Sequence, residues 1–499
     1  MNQSSRSLQP VDHMVLRQAL ERVAYLVGEE NITCYEPNAS TASSVCWRNV
    51  SQFRQRDIRA VIRPGTIEEV QEIVRIFNRF KTHAGLHAIS TGRNWGLGSA
   101  QPATDGVVTI DLQRLNALRE IDCSSGWAVI EPGLTQIELA RFLVGTDRML
   151  NVTASSGHTS VVGNALDRGV GLRRQRIDDL AGLEVVLPDG EVVKVGWWPD
   201  ESRKTAVNPY GLGPALLHLF TQSNLGIVTA AVIKLLPRPE RQCILRLTFP
   251  RENLQAAIAE LRRWVAQELV SGVLKIYDTI STESYGGRLG QHLVLLCVSG
   301  TPRRVDAITK ILVEEAAICA LFTSVTQSDL VPAASNDFVL QVVEHAYAGD
   351  PSQNELMLRS AVGQDADHVD SAGGGWIFFL PFIPFNGEAI ARAFELIDLI
   401  YEKTGIRAGT TVNALSADLI DLVVSFKFTP NSEEVTLAHQ ALNLAYELFA
   451  HAGFFPYRLD IDHAHWREKL ALDPLGYQLV RQFTQLLDPD SIIAPGRYV

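Results

Sequence analysis

A stretch dense in glycine occupies residues 90–102, "STGRNWGLGSAQP", in which Gly92, Gly96 and Gly98 fall within seven positions. Glycine lets a backbone approach a ligand closely and direct its N–H groups at it, and a phosphate is the usual ligand. A tight structural turn is the alternative, and the loop alone leaves both open. The spacing differs from G-x-G-x-x-G, no G-K-[ST] follows, and the next apolar segment predicts a strand. Any phosphate is therefore expected on loop N–H groups rather than at a helix N-terminus.

A second polar stretch, "NVTASSGHTSVVGNALDRGVG", covers residues 151–171. A stretch of this length with few core-forming residues inside a compact domain is usually functional. Together with the glycine loop, it predicts two small-residue loops that hold an extended ligand with a phosphate at its centre.

The segment "DIDHAHW" at residues 460–466 holds two aspartates and two histidines, which are types that bind metal ions. In a strand, Asp460 and Asp462 lie on one face, and His463 and His465 lie on the other. This division of the four side chains predicts that the segment binds no metal.

The bulk properties describe an ordinary soluble protein. The 499 residues predict two domains, or three, and 46% of the residues are hydrophobic. A formal charge of −11 without a basic cluster argues against a nucleic-acid partner. The six cysteines form no C-x-x-C pair, residues 1–14 lack the apolar segment of a secretory signal, and no run approaches a membrane span. These features predict reduced thiols, a cytoplasmic location and no membrane contact.

The segments that flank the glycine loop predict a mixed α/β region. Residues 59–64 are β-branched and end at Pro-Gly, and an amphipathic helix follows from Thr66, which can cap it with Glu69 three positions later. A strand at 86–90 leads into the loop, and a strand at 107–112 leaves it. Further segments continue this pattern up to Pro239: a strand at 127–133, a helix with a capping box at 135–143, a hairpin at 183–196 and a strand at 226–239.

The pattern of predicted secondary structure changes after Pro239, where longer helical segments alternate with apolar strands. The helices are predicted at 252–269 and 305–322, and the strands at 292–300, 376–382 and 419–428. This half is predicted to form a second domain, and the fold class of the whole chain is α+β.

Six segments, taken in order, resemble one family. STGRNWGLGSA, VVTIDLQRLN, VIEPGLTQIEL, VGNALDRGVG, FTQSNLGIVT and the terminal APGR are similar to the FAD-linked flavoproteins typified by vanillyl-alcohol oxidase and para-cresol methylhydroxylase (PCMH). The resemblance spans about residues 59–499 and is strongest in the first half. It implies a PCMH-type FAD-binding domain of two subdomains over 1–240, completed by 459–499, and an α+β substrate-binding cap over 241–458.

The resemblance also implies FAD as the cofactor, held by fixed N–H donors and small side chains. The implied cofactor-binding residues are Thr91, Gly92, Arg93, Asn94, Trp95 and Ser99 on the first loop, Ser155, Ser160, Gly163 and Asn164 on the second, and Gly226, Ile227 and Val228 near the adenine end. Arg497 of APGR matches a basic residue that the family places at the flavin N1/O2 edge. A positive charge there stabilises the reduced flavin.

The substrate pocket is only partly matched. Tyr457 and Arg458 correspond to a Tyr-Arg pair that holds a phenolate in the family, and with Arg497 they are the implied catalytic residues. The family's phenol-binding Tyr corresponds to Leu97, which cannot form a hydrogen bond through its side chain. A family acidic residue aligns loosely near Val423, and a family glutamate corresponds to Gln364, which cannot act as a base.

Two positions bear on covalent attachment of the flavin. The residue that carries the flavin in the oxidase branch corresponds to Trp376, and the one in the methylhydroxylase branch corresponds to His368. Histidine can attack the 8α-methyl group of the flavin, so His368 is a candidate covalent anchor. A solvated loop histidine is the alternative.

The resulting function is an FAD-dependent oxidase or dehydrogenase that transfers hydride to flavin N5 from a small aromatic or benzylic alcohol or phenol. Dioxygen or a protein is the expected electron acceptor, and a homodimer is the expected assembly. A sugar-alcohol, 2-hydroxy-acid or amine oxidase of the same superfamily is the first alternative. A redox-silent ligand-binding protein is the second.

Overall fold

The computed structural model describes residues 11–35, 49–98, 100–200, 207–284, 290–333 and 337–498, so Ser99 lies outside the described residues. The helices are α1 His13–Val27, α2 Ile67–Phe80, α3 Gln136–Phe142, α4 Val161–Leu166, α5 Leu254–Ala266, α6 Thr279–Ser284, α7 Pro302–Cys319, α8 Phe338–Tyr347, α9 Asn354–Val362, α10 Val369–Ala372, α11 Gly387–Thr404, α12 Glu434–His451, α13 Trp466–Lys469 and α14 Pro474–Leu487. No helix in these ranges is both long enough and apolar enough to span a membrane.

The strands form three main sheets and one short pair. They are β1 Ile32–Cys34, β2 Ile58–Ile62, β3 Leu86–Ile89, β4 Val107–Asp111, β5 Leu118–Asp122, β6 Trp127–Ile130, β7 Arg148–Met149, β8 Leu180–Val186, β9 Val192–Gly196, β10 Ile227–Lys234, β11 Leu236–Pro237, β12 Arg241–Pro250, β13 Leu274–Tyr277, β14 Gln291–Gly300, β15 Ser324–Gln327, β16 Gly375–Phe379, β17 Pro381–Pro384, β18 Ala408–Ala414, β19 Leu419–Phe428 and β20 Phe455–Pro456.

The first sheet has four strands in the order β1-β2-β4-β3, with β2, β3 and β4 parallel. Helices α1 and α2 bury their apolar faces in the core of this sheet. Helix α2 begins after Thr66, whose hydroxyl accepts a hydrogen bond from the backbone N–H of Glu69, as the sequence predicts. The glycine loop therefore leaves the carboxyl end of a parallel strand, β3.

The second sheet is antiparallel, with the order β5-β6-β10-β8-β9. The predicted hairpin is confirmed, because β8 and β9 pair from Gly182 opposite Gly196 to Val186 opposite Val192. The predicted capping box is also present at the start of α3, where Thr135 and Glu138 satisfy each other's backbone N–H groups.

The third sheet has nine strands in the order β15-β12-β14-β13-β18-β19-β17-β20, and β16 also pairs with β19. Alternate residues of each strand point to opposite faces. On β19, Ile420, Leu422, Val424 and Phe426 pack into a core with helices α5, α11 and α12. The intervening residues Asp421, Val423, Ser425 and Lys427 face the other way and line a cavity.

Four predicted elements need correction. The strand predicted at 226–239 is two strands in different sheets, because β10 lies in the second sheet and β11 pairs with β7. The strand predicted at 376–382 is two strands, β16 and β17, separated at Leu380; Pro381 has no N–H to continue a ladder. The helix predicted at 305–322 is Pro302–Cys319, because Thr301 caps it, Pro302 suits its first turn, and Ala320 turns left-handed. The helix predicted at 252–269 is Leu254–Ala266, preceded by one turn of 3-10 helix.

Candidate active site

A cavity of about 480 Å³ lies between the two small-residue loops and one face of the nine-stranded sheet. The loops contribute Ser90–Trp95 and most of residues 153–164, and the sheet contributes outward-facing residues of β13, β16, β18 and β19. The C-terminal segment adds Arg497 and Tyr498. The elements that sequence analysis assigned to a cofactor and to a substrate therefore share one cavity.

The glycine loop makes tight turns at the edge of the cavity. Gly92 has φ +65° and lines the cavity, so it lets the backbone turn there without a side chain, and its contact with a phosphate stays a prediction. Gly96 has φ +82°, and a Cβ at this position would lie 2.3 Å from the ring of Phe378. The N–H of Phe378 also donates to the carbonyl of Gly96 over 3.0 Å. Gly96 thus lets the nine-stranded sheet dock directly on the loop.

The second polar stretch contains a short helix, α4, so its interpretation as a loop is wrong for its middle. Ser160 caps this helix by accepting a hydrogen bond from the N–H of Gly163 over 2.9 Å. A Cβ on Gly163 would lie 2.5 Å from Ser90 Oγ, so the two segments pack tightly against each other. They form one continuous wall of the cavity.

This wall fits an anionic dinucleotide. Its side chains are mostly Ser, Thr, Gly and Ala, which leave the backbone accessible. The carboxylate of Asp167 in the same wall is paired with Arg458 (Nη2 to Oδ2, 2.5 Å) and accepts a hydrogen bond from Asn94 Nδ2 over 2.8 Å. Because that negative charge is neutralised, a pyrophosphate is not repelled by it.

The cavity lining includes every predicted cofactor and catalytic residue that the structure describes, with the exception of His368. The lining residues from that set are Thr91, Gly92, Arg93, Asn94, Trp95, Ser155, Ser160, Gly163, Asn164, Gly226, Ile227, Val228, Tyr457, Arg458 and Arg497. Their individual contacts with FAD stay predictions.

Arg497 is buried, and its guanidinium donates to the carbonyls of Leu459 (3.1 Å) and Asp460 (3.4 Å). These acceptors are neutral, so the positive charge is not cancelled by a direct carboxylate contact there. The same backbone segment carries Tyr457 and Arg458 into the cavity. Arg497 therefore fixes the segment that carries Tyr457 and Arg458, and it places a positive charge beside that segment.

The structure adds a residue that sequence analysis missed, Asp421. Its carboxylate Oδ2 accepts hydrogen bonds from Tyr457 Oη (3.4 Å) and Asn413 Nδ2 (3.1 Å). Asp421 is only 1% exposed and lines the cavity. The loose alignment of an acidic residue near Val423 was close, because residues two apart on a strand share a face. That alternation was the signal that could have identified Asp421.

His368 lies at the N-cap of α10, is exposed and is absent from the cavity lining. Helix α10 is attached to the glycine loop through Asp370, which accepts a hydrogen bond from Trp95 Nε1 over 2.9 Å. Gln364, four residues before His368, also lies outside the lining. Trp376 lines the cavity and donates from Nε1 to Ser425 Oγ over 2.7 Å.

The covalent link through His368 stays a prediction, and acid precipitation tests it. If the link forms, the yellow colour stays in the protein pellet, and His368→Ala releases it to the supernatant. His451→Ala, which removes another exposed histidine, is the matched control and leaves the pellet yellow. Complete recovery of flavin in the supernatant from the wild-type protein would exclude the link.

The "DIDHAHW" segment is not a strand but a turn that leads into α13. Asp460 is fully buried and accepts hydrogen bonds from Tyr446 Oη (2.8 Å) and the backbone N–H of Asp462 (2.9 Å). His463 Nδ1 lies 2.9 Å from the same carboxylate, and its ring stacks on Tyr446. These contacts hold together the segment that bears Arg458.

Comparison with known proteins agrees with this geometry. Residues 58–196 match the family model of an FAD binding domain. The chain is 27% identical to 1'-carboxy-chondrochloren decarboxylase of Chondromyces crocatus, with 97% of each chain covered. It is 26% identical to the 4-cresol dehydrogenase (hydroxylating) flavoprotein subunit of Pseudomonas putida, covering 88% of this chain and 87% of that protein.

Solved structures share the whole fold. Substrate-bound p-cresol methylhydroxylase superposes with a TM-score of 0.87 at 22% identity, covering 98% of both chains. The isoeugenol complex of 4-ethylphenol oxidase from Gulosibacter chungangensis gives a TM-score of 0.86 at 22% identity and the same coverage. The α+β, PCMH-type fold class and the predicted resemblance are confirmed: this chain is an FAD-dependent oxidoreductase that is similar in sequence to the 4-cresol dehydrogenase flavoprotein subunit and has the fold of p-cresol methylhydroxylase.

Proposed function

We propose that this enzyme oxidises the carbinol carbon of a small aromatic alcohol and that Asp421 accepts the hydroxyl proton. The observation that carries the proposal is an unpaired oxygen of the buried Asp421 carboxylate. Its Oδ1 is buried and, among the described residues, has no hydrogen-bond partner, although the residue lines the cavity. A buried acceptor without a partner is costly, and a substrate hydroxyl removes that cost.

The acid strength of Asp421 suits this role. Burial raises the pKa of Asp421 to about 6, and hydrogen bonding from Asn413 with the charges of Lys275 and Arg458 keeps the pKa from rising further. A base whose pKa lies just below neutral pH is mostly ionised and still accepts a proton readily. Asp421 is therefore poised for proton transfer at neutral pH.

FAD supplies the hydride acceptor at N5 when it is bound. The alcohol loses hydride from its carbinol carbon and a proton from its hydroxyl, and a carbonyl product forms. Tyr457 orients the base, because its hydroxyl donates to Asp421 and its ring stacks on Phe382 at a centroid distance of 4.4 Å. Arg497 supplies a buried positive charge, which favours a cofactor that gains electrons.

The same contacts favour an alcohol over an ionised phenol. Tyr457 already donates to one carboxylate, and Arg458 is already paired with another, Asp167. Leu97 adds no donor. A phenolate beside Asp421 would find the donors of Tyr457 and Arg458 already engaged by carboxylates, and it would be repelled by the negative charge of Asp421. A neutral hydroxyl can instead donate to the unpaired Oδ1 of Asp421.

Rapid mixing without oxygen tests the proposal through the absorbance of the flavin. Benzyl alcohol or a ring-substituted benzyl alcohol is expected to bleach it, whereas para-cresol, which has no carbinol group, leaves it oxidised. Benzaldehyde, the product type, is the matched control and causes no bleaching. Bleaching by para-cresol, by benzylamine or by a polyol instead of the alcohol would contradict the proposal and favour a phenol, amine or sugar-alcohol oxidase. The terminal acceptor, dioxygen or a protein, and the homodimer stay predictions.

A further inference from the structure

Three polar side chains form a row across adjacent strands at the inner end of the cavity. Lys275 on β13 pairs with Asn413 on β18, and Asn413 pairs with Asp421 on β19. Residues directly opposite each other on neighbouring strands present their side chains on the same face. All three line the cavity, and Lys275 and Asp421 contact the two ends of the same Asn413 carboxamide.

Lys275 is a buried cation with unused donors. It is 8% exposed, and its Nζ donates to Asn413 Oδ1 over 2.5 Å. An ammonium group carries three N–H donors, and the described residues provide no other hydrogen bond and no direct ion pair for this one. Burying a charge without a direct counter-ion is unfavourable, so the group is suited to an anion that enters the cavity.

The outer end of the same sheet face is also positive. Arg407 and Lys427 line the cavity and are exposed, which places them at its solvent end. Lys427 lies six residues beyond Asp421 on β19, a rise of about 20 Å. Positive groups at the entrance of a cavity raise the local concentration of an anionic ligand. These groups stand out because the chain as a whole has a formal charge of −11.

Between these ends the face is suited to a ring. Thr411 and Val423 are paired in one row, and Ser425 and Phe378 are paired in the next. Phe378 also contacts Trp376 edge to face, with ring centroids 4.4 Å apart. A substrate with its polar end at the inner row therefore has its apolar body along these rows.

We propose that the substrate carries a carboxylate, bound by Lys275, a few bonds from the hydroxyl that faces Asp421. The substrate class is thus an aryl-substituted hydroxy acid. The inference rests on the proposed function for the place of the hydroxyl. The carboxylate site itself rests on Lys275 alone.

Binding of a non-oxidisable anion tests the carboxylate site separately from turnover. Phenylacetate and its neutral analogue 2-phenylacetamide are titrated into the FAD-bound enzyme, and the visible spectrum of the flavin reports binding. Phenylacetate is expected to bind at least about 30-fold more tightly to the wild type than to Lys275→Met, because the variant removes a buried, charge-assisted hydrogen bond. The affinity for 2-phenylacetamide is expected to change little. Lys310→Met, at a side chain that is 77% exposed, is the matched control and binds both compounds as the wild type does.

Two further measurements keep the test decisive if Lys275→Met does not fold. The first is the variant Lys275→Arg, which is expected to bind phenylacetate more tightly than 2-phenylacetamide, as the wild type does. The second is the pH dependence of the wild type, in which this preference is expected to disappear above about pH 8, because burial lowers the pKa of Lys275 to about 8. Of the other groups facing this cavity, Asp421 is already ionised there, Arg458 stays charged, and burial raises the pKa of Tyr457 well above its ordinary value. Tyr277 lies beside the ammonium, and burial also lowers the pKa of Lys427 at the solvent end of the cavity, so the pH dependence is measured in Lys427→Met as well. Equal affinity of the wild type for the two compounds would overturn the proposal, as would a preference that persists in Lys275→Met or at high pH. Tight phenylacetate binding without reduction by any alcohol would instead refute the proposed function and leave the carboxylate site standing.

Discussion

Gly92→Asp is expected to yield a folded protein that no longer retains FAD. A Cβ at Gly92 lies 3.6 Å from its nearest neighbours, Ala100 and Ile89, so the side chain fits without a clash. Its charge would lie in the wall that we assign to the pyrophosphate. Two like charges about 4 Å apart repel by about 4 kcal/mol at an effective dielectric constant of about 20. That is roughly a thousand-fold in affinity. Flavin content after gel filtration measures the loss.

Gly92→Asn is the matched control for this experiment. Asparagine has the same shape as aspartate and is among the non-glycine residues that tolerate the positive φ of +65° at this position. It is expected to retain most of the flavin, because it adds no charge. Full flavin occupancy in Gly92→Asp would show that the pyrophosphate lies elsewhere, and equal loss in both variants would point to backbone strain.

Asp421→Asn is expected to slow flavin reduction by about 10²- to 10⁴-fold, the range that loss of a general base usually gives. The amide keeps the shape and the contacts with Tyr457 and Asn413 but cannot take a proton. FAD binding is expected to be unchanged, since the described contacts of Asp421 are with the nine-stranded sheet and with Tyr457. Stopped-flow reduction at saturating alcohol measures the effect.

The pH profile separates a catalytic role of Asp421 from a structural one. The base must be ionised to accept a proton, and its pKa is raised to about 6, so the reduction rate of the wild type is expected to fall as pH drops below about 6. Lys275, Tyr457 and Arg458 face this carboxylate and stay protonated through that range. In Asp421→Asn this acidic limb disappears. A variant that is slower but keeps the same limb would assign the proton to another group.

Local patterns predicted the cofactor half of the molecule well. Capping at Thr66 and Thr135 and the hairpin of β8 and β9 depend on residues close in sequence, so short-range rules suffice. The two segments that line the cavity were recognisable because long stretches of small and polar residues inside a compact domain are usually functional. Helix α4 was missed because six residues with an internal glycine give little periodicity.

The substrate half was harder to predict because its site is assembled by strand register. Lys275 and Asp421 are far apart in sequence, and only pairing through Asn413 places them side by side. Counting along the chain led to Val423, two residues from Asp421 on the same face of β19, so the count identified the face but not the residue. The division at Leu380 is a local effect instead, because Pro381 has no N–H to continue the ladder.

Alternate residues along β18 and β19 face either the helical core or the cavity, and this separation affects how the protein can evolve. Residues such as Val412, Leu422 and Phe426 bind the sheet to its helices. Their sequence neighbours Thr411, Val423 and Ser425 border the cavity and contribute nothing to that helical core. New substrates can therefore be accommodated by substitutions on one side of a strand while the other side preserves folding. Phe378 on the neighbouring strand β16 also borders the cavity, but it packs directly against Gly96 of the glycine loop, and this close contact leaves its position little freedom to diverge.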